Sequence, residues 1–346
     1  GDTLARYGAD EFVMLLDEVE EKSDIVRIAE EVLHELEQEF DILDQRLFIS
    51  GTVGIAIYPD DGRDEVGLLQ HADIAMHRCK VESSGNSYGF YQSSMNEDVT
   101  GRVEMERLLR FAIQNGELFL HYQPIFGSDD RRLLGAEVLV RWQSPELGFV
   151  GPDNFIPLAE QTGLIVEIGH WILKTACIQG RKWIDQGLDE FYLAVNISPR
   201  QLRHQEFPQL LQSLLQETGF PADALVLELT EGLLVKKDSG TAKVLDDLKA
   251  MGVMLSMDDF GTGYSSLAYL KMFPFDVIKI DRSFVRDLAV DTSDQQLIVA
   301  AIEMAKALGL KVVAEGVETA QQLHFLRDAG CFSVQGYYLS KPLDHA

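Results

Sequence analysis

The chain has 346 residues, 46% of them hydrophobic, and a formal net charge of −26. That length exceeds one ordinary domain of roughly 100–200 residues, and that apolar share excludes global disorder. So acidic a balance excludes non-specific DNA or RNA binding, which needs a basic face.

In chain order, GDTLARYGADEF (1–12) reads as the interior of a domain, without a signal peptide, so an upstream part is expected. EFVMLL (11–16) is short and apolar, a strand. In 24–40, Ile25, Ile28, Val32, Leu33 and Leu36 form a helical stripe that Ser23 or Asp24 can cap. LFISGTVGIAIYP (47–59) is β-branched and alternating, a strand stopped by Pro59. VGLLQHADIAMHRCK (66–80) is helical, and SSGNSYGFY (83–91) is a turn-rich close. A polar stretch, 92–102, leads to a helix that opens the next unit at Val103.

From there strand-like runs recur at 118–125, 133–142, 191–198, 224–231, 253–260, 277–281, 311–317 and 333–339. Helical patterns separate most of them, at 157–184, 207–219, 241–252, 294–309 and 320–330, several stopped by Gly. Strands alternating with helices in this way predict an α/β fold of the TIM (β/α)8 barrel type. The first two strands are joined only by FGSDDRR (126–132). A parallel pair needs a dozen or more linking residues, so this pair is expected to be antiparallel, which makes the barrel a modified one.

No run approaches the roughly 20 apolar residues of a membrane span. Cys79, Cys177 and Cys331 are odd in number and far apart, with neither a disulfide framework nor zinc spacing, and they point to a reducing cytoplasm.

In such barrels the active site lies at the C-terminal strand ends. Those ends offer Asn196, Glu228, Asp258 with Asp259, Lys279, Glu315 and Gln335, while Glu137 comes from the middle of the second strand. Converging acids cannot all be paired by one lysine, and like charges in contact are driven to protonate. Hard oxygen donors without His or Cys suit Mg²⁺ or Mn²⁺, and this many acids suit two ions sharing a carboxylate, the arrangement used for phosphoryl hydrolysis. Lys279 is either a charge partner for the acids or a group that orients or deprotonates water or neutralises phosphate. Asp281, two residues on, could hold it.

The pieces YQPI, AEVLVRW, NIS, LELTE, DDFGTGYSSL, IKID, AEGVE and QGYYLSKP stand in this order. Together they resemble the EAL domain of bacterial cyclic di-GMP phosphodiesterases over 105–346. The resemblance implies a modified TIM barrel with one antiparallel strand, and hydrolysis of cyclic di-GMP to linear pGpG with two Mg²⁺ or Mn²⁺ ions. It implies Glu137, Asn196, Glu228 and Asp258 as ligands of one ion, and Asp258, Asp259 and Glu315 as ligands of the other. Lys279, Glu315 and Asp259 carry the catalysis in this reading. Gln123, Leu139, Arg141 and Gln335 meet the substrate, and Arg141 suits a phosphate because guanidinium binds it in a fork. Glu231 steadies the loop holding Gly261 and Gly263, which in the family joins the metal site to a homodimer interface. The Glu-Ala-Leu signature reads Glu137-Val138-Leu139 here, and Val138 is expected to point out of the site. A silent cyclic di-GMP receptor is the alternative within the same resemblance.

Residues 1–92 resemble the second half of a GGDEF, or diguanylate cyclase, domain, a partial α+β unit followed by a linker over 93–104. ARYGADEF carries Ala9 where the family has a second Gly, a change that adds a methyl and can remove a positive-φ conformation. Asp2 stands where the family has an inhibitory-site Asp. The resemblance implies no cyclase activity here, GTP as a regulatory ligand, and a cytoplasmic place in the bacterium, at the inner membrane if a membrane segment lies upstream.

Overall fold

The computed structural model describes residues 2–345 apart from 9, 18, 20, 43–44, 48, 83–84, 93, 189, 231–238, 262–269, 271 and 289–291. The chain divides into two compact units, Gly1–Glu104 and Met105–Ala346.

In the first unit, β1 (Thr3–Arg6) and β2 (Phe12–Leu15) form an antiparallel hairpin in which Arg6 faces Phe12. Asp2 accepts from the Asp17 amide beside it (3.3 Å). Ala9 lies outside the described residues. Helix α1 (Lys22–Glu37) starts at Glu21, whose amide donates to Asp24 Oδ2 (3.2 Å). Two short strands, β3 (Phe40–Ile42) and β4 (Gln45–Leu47), pair antiparallel. The run 47–59 is therefore not one strand. Only β5 (Thr52–Ile55) follows, and it pairs in parallel with β6 (Ser87–Phe90) across α2 (Glu65–Glu82). Strand β6 falls in the stretch whose Gly and Ser residues read as turn; its pairing with β5 and the packing of Tyr88 and Phe90 against the small core outweigh that composition. Ile25 and Ala29 of α1 pack with Ile55 into a small core.

The second unit is the barrel. Helix α3 (Ser94–Ala112) begins in the first unit, ahead of Val103, and its second-unit residues Leu108, Leu109 and Ala112 are buried in the barrel's main core. Strand β7 (Leu118–Gly127) and β8 (Leu133–Ser144) follow, with β9 (Gly148–Val150) extending β8 as a hairpin. The single helical pattern of 157–184 resolves into α4 (Pro152–Thr162) and α5 (Ile165–Asp185), parted at Gly163, whose φ is 88°. Then come β10 (Tyr192–Asn196), α6 (Pro199–Leu202), α7 (Phe207–Thr218), β11 (Leu225–Thr230), α8 (Ser239–Ala250), β12 (Met254–Phe260) and β13 (Val277–Ile280). Last are α9 (Arg282–Arg286), α10 (Thr292–Leu308), β14 (Lys311–Ala314), α11 (Ala320–Asp328) and β15 (Ser333–Val334).

Eight strands close in the order β10-β11-β12-β13-β14-β15-β7-β8, with β8 returning to β10. Strand β7 is antiparallel to both of its neighbours, and every other barrel pairing is parallel. The short 126–132 connection dictated this: it can turn a hairpin but cannot cross the sheet.

Alternation along the strands sorts the core into two parts. Val138, Val140, Leu193, Leu227, Leu255, Ile278 and Val312 belong to the large cluster shared with the helices. On the opposite face, Ile125, Ala194, Val226, Val277 and Val313 form a separate apolar layer with Tyr192 and Met254. Continuing that inner face toward the strand ends by steps of two reaches Gln123, Asn196, Glu228, Asp258, Lys279 and Glu315. One face of each strand thus runs from hydrocarbon into charge.

Candidate active site

The inner face brings four carboxylates to one ammonium. Lys279 is only 1% exposed. Its Nζ lies 2.6 Å from Glu315, 2.9 Å from Glu228, 3.3 Å from Asp258 and 3.5 Å from Glu137. Burial alone would lower the lysine pKa, but Asp258, Glu137, Glu228 and Glu315 together hold it well above the ordinary value. In this metal-free arrangement the four carboxylates favour the charged form of Lys279, which makes it their charge partner. Asp281 does not hold it: its Oδ1 accepts from the Ser283 amide (2.9 Å) and hydroxyl (2.5 Å), capping α9. A short polar side chain entering a helix meets the orphan amides first.

Glu137 is fixed from three sides. Its Oε1 accepts from Asn196 Nδ2 (3.0 Å), and its Oε2 accepts from Gln335 Nε2 (2.7 Å) and faces Lys279. In register, Asn196 stands opposite Glu228, and Gln123 opposite Glu137. Gln123 donates to the Ser340 carbonyl (3.4 Å). Leu139 and Arg141 continue the inner face of β8; the Arg141 guanidinium donates to the Val140 carbonyl (2.9 Å) and remains partly exposed.

Asp258 and Asp259 sit where the β12–β13 register slips, between Met257 and Phe260. Asp259 has φ 56°, a left-handed conformation uncommon outside glycine but tolerated by Asp. The bend falls on the second acid itself, which breaks the alternation that would otherwise send adjacent carboxylates apart. Gly261 follows at φ 100°, and a Cβ there would meet the Phe284 ring at 2.8 Å. Burial, then the charges of Asp258 and Asp281, push Asp259 up. Glu231 and Gly263 lie outside the described residues.

Burial raises Glu228 well above the usual carboxylate range despite Lys279, and Glu137, Asp258 and Glu315 add to the rise. Its Oε2 is buried with no hydrogen-bond partner, and Asp258 Oδ1 has only its ion contact with Lys279. Among the described residues no three acids stand ready-placed around a metal, because the lysine occupies their centre. The chemistry of the donor set nonetheless fits a hard divalent cation: all the donors are oxygens, they outnumber the single ammonium, and one is orphaned.

Two groups escaped the sequence reading. Ser256, two residues before Asp258 on the same face, is fully buried with its Oγ unpartnered. Tyr192 lies beneath Glu228 and Lys279, both of which act on its hydroxyl electrostatically. The period of two marked both positions; neither is an acid, so neither stood out.

Val138 is 3% exposed and packs in the outer core, away from Glu137. Val138→Ala is accordingly expected to cost about 2 kcal/mol by cavity formation and to leave turnover within about twofold. Denaturant unfolding beside a steady-state assay checks both. A large gain in activity would show that Val138 distorts Glu137.

Oxygen donors gathered at the mouth of a closed α/β barrel form an active-site type of cleft whose chemistry suits a hard divalent cation. The family model described as EAL domain matches residues 106–342, and this chain belongs to that family. A second model, diguanylate cyclase, GGDEF domain, matches residues 1–86. The chain is 41% identical over 342 residues to the bifunctional diguanylate cyclase/cyclic di-GMP phosphodiesterase MucR of Pseudomonas aeruginosa, covering 99% of this chain and 50% of that protein. It is 39% identical to the cyclic di-GMP phosphodiesterase PdeR of Escherichia coli, covering 98% of this chain and 51% of PdeR. The chain thus spans about half the length of these curated relatives. A solved structure described as PaMucR phosphodiesterase, c-di-GMP complex, superposes with a TM-score of 0.67 at 42% identity, covering 70% of this chain and 98% of that one. No described helix is long and apolar enough to cross a membrane.

Proposed function

We propose that this chain hydrolyses cyclic di-GMP to linear pGpG, assisted by two divalent cations, Mg²⁺ or Mn²⁺. The observation that carries the reading is the convergence of Glu137, Glu228, Asp258 and Glu315 on one buried point, with Glu228 Oε2 unpaired. The likeness to the solved PaMucR phosphodiesterase in its c-di-GMP complex supports the substrate.

In this reading Glu137, Asn196, Glu228 and Asp258 hold one ion, and Asp258, Asp259 and Glu315 the other. When bound, such ions neutralise phosphate charge and acidify a coordinated water. The chain's own groups do the rest. Arg141 offers a fork for a phosphate at the rim. Gln123 and Gln335 present amides on either side of Glu137, and Leu139 gives an apolar contact. Lys279, held as a cation, orients the attacking water and offsets charge on the phosphate oxygens. Water adds to one phosphorus, one P–O3′ bond breaks, and the 3′ oxygen receives the proton, leaving a 5′-phosphate on the linear product.

Residues 1–92 serve as a regulatory GGDEF-like domain rather than a cyclase, joined through 93–104 to the barrel at 105–346. GTP is its expected ligand, a homodimer through the barrel the expected assembly, and the bacterial cytoplasm the expected compartment.

The test is product formation from cyclic di-GMP with Mn²⁺ or Mg²⁺, with EDTA, and with or without GTP. Formation of pGpG that EDTA stops is expected, and a change with GTP would support the regulatory part. Tight nucleotide binding with no turnover in either metal would sink the catalytic reading.

A further inference from the structure

Gln322, the third residue of α11, is 5% exposed and uses its whole amide. Its Oε1 accepts from the amides of Glu318 (2.8 Å) and Thr319 (2.9 Å). Its Nε2 donates to the carbonyls of Val285 (2.9 Å) and Arg286 (3.3 Å). The first pair satisfies orphan donors at the start of α11, and the second satisfies orphan acceptors at the end of α9. One side chain caps two helices at once.

Those helix ends adjoin the site. Helix α9 starts directly after the β13 strand that carries Lys279, and the 315–319 segment that leads into α11 starts at Glu315. The two segments touch without a spacer. Gly316 has φ 70°, and a Cβ there would lie 2.5 Å from Arg282 Cβ. The Glu315 amide donates to the Ile280 carbonyl (3.1 Å), and its carboxylate reaches Lys279 at 2.6 Å. Strand β14 ends at Ala314; the Glu315 amide keeps one ladder bond to β13 and the Val317 amide one to the Gln335 carbonyl (3.0 Å), so the turn through Glu318 and Thr319 into α11 is what Gln322 holds.

We infer that Gln322 is a positioning residue: by clamping the 315–319 segment onto α9 it fixes Glu315 against Lys279. The bland reading is that Gln322 serves only the capping box with Thr319, whose Oγ1 accepts from the Gln322 amide (3.3 Å). The two readings separate chemically. A glutamate at this position keeps the acceptor half of the box, and its charge suits a helix N-terminus. It cannot donate to Val285 and Arg286, and its charge opposes their carbonyls.

The inference rests on the hydrolase reading, so the wild-type chain is measured first; a wild type that binds cyclic di-GMP without turnover defeats that reading rather than this one. With an active wild type, Gln322→Glu is expected to fold, to lower kcat at least about tenfold and to leave KM within about twofold. A folded Gln322→Glu with wild-type kcat overturns the inference. Thr319→Ala keeps the clamp and loses the cap, so it is expected to melt earlier with kcat unchanged. If Gln322→Glu does not fold, Thr319→Ala decides: a tenfold loss of kcat there would mean that the helix start, not the clamp, governs the site, and the inference falls.

Discussion

Lys279→Met is expected to lower the stability of the metal-free protein by about 3–5 kcal/mol, the usual cost of leaving buried charge uncompensated. For a unit of this size that is a fall of roughly 10 °C in Tm. Four carboxylates share this ammonium, and Glu228 and Lys279 are almost fully buried. Without the lysine the acids can limit the loss only by taking up protons. The deficit should therefore be larger at pH 8 than at pH 6, because the folded state then binds more protons than the unfolded one and loses stability as pH rises. Added Mg²⁺ should restore much of the stability, since a divalent cation replaces the missing charge, while turnover stays about a hundredfold or more below wild type. Thermal melts in EDTA and in Mg²⁺ at the two pH values, beside a turnover assay, test this. An unchanged melt in EDTA would mean that the lysine does not hold the acids together.

Glu315→Gln separates charge from shape at the same point. Burial pushes the Glu315 carboxyl up to about 7, with Glu137 and Asp258 adding to the rise and Lys279 opposing it. A folded-state pKa above the ordinary 4.5 means that the folded metal-free chain keeps a proton the unfolded chain has released. Stability from this group is present below pH 4.5 and is lost as pH rises through about 7. Glu315→Gln should flatten that part of the stability–pH curve in EDTA. Turnover of cyclic di-GMP should fall about a hundredfold, with affinity changed less than about threefold, because the carboxylate acts on metal and charge rather than on guanine. Equal losses in turnover and affinity would assign Glu315 to substrate binding instead.

Much of the barrel was legible because alternation is a local signal. An acid in an apolar strand, as in LVLELTE or VVAEGVE, announces its face whatever the partner strand. Gly163 was read through as helix because apolar periodicity continues across it, although its φ of 88° ends α4. Asp281 shares a parity with Lys279, yet the strand stops at Ile280 and the side chain turns to cap the next helix. The bend that lets the paired aspartates serve one site falls on Asp259 itself, since Asp tolerates the left-handed region. The clamp by Gln322 carries no signal beyond a capping box, because its second pair of partners lies 36 and 37 residues away.

By itself the sequence determined which side chains share the inner face of each strand, that the first two strands are antiparallel, and that oxygen donors gather at one rim. Each follows from a period of two or from the reach of a short loop. Which donor meets which was decided only by closure of the barrel. Glu137 and Gln335 stand 198 residues apart and meet at 2.7 Å because β7 bridges β15 and β8. Lys279 becomes the common partner of four acids for the same reason: the inner faces of a closed sheet have one axis to point at, and the Lys279 ammonium reaches it.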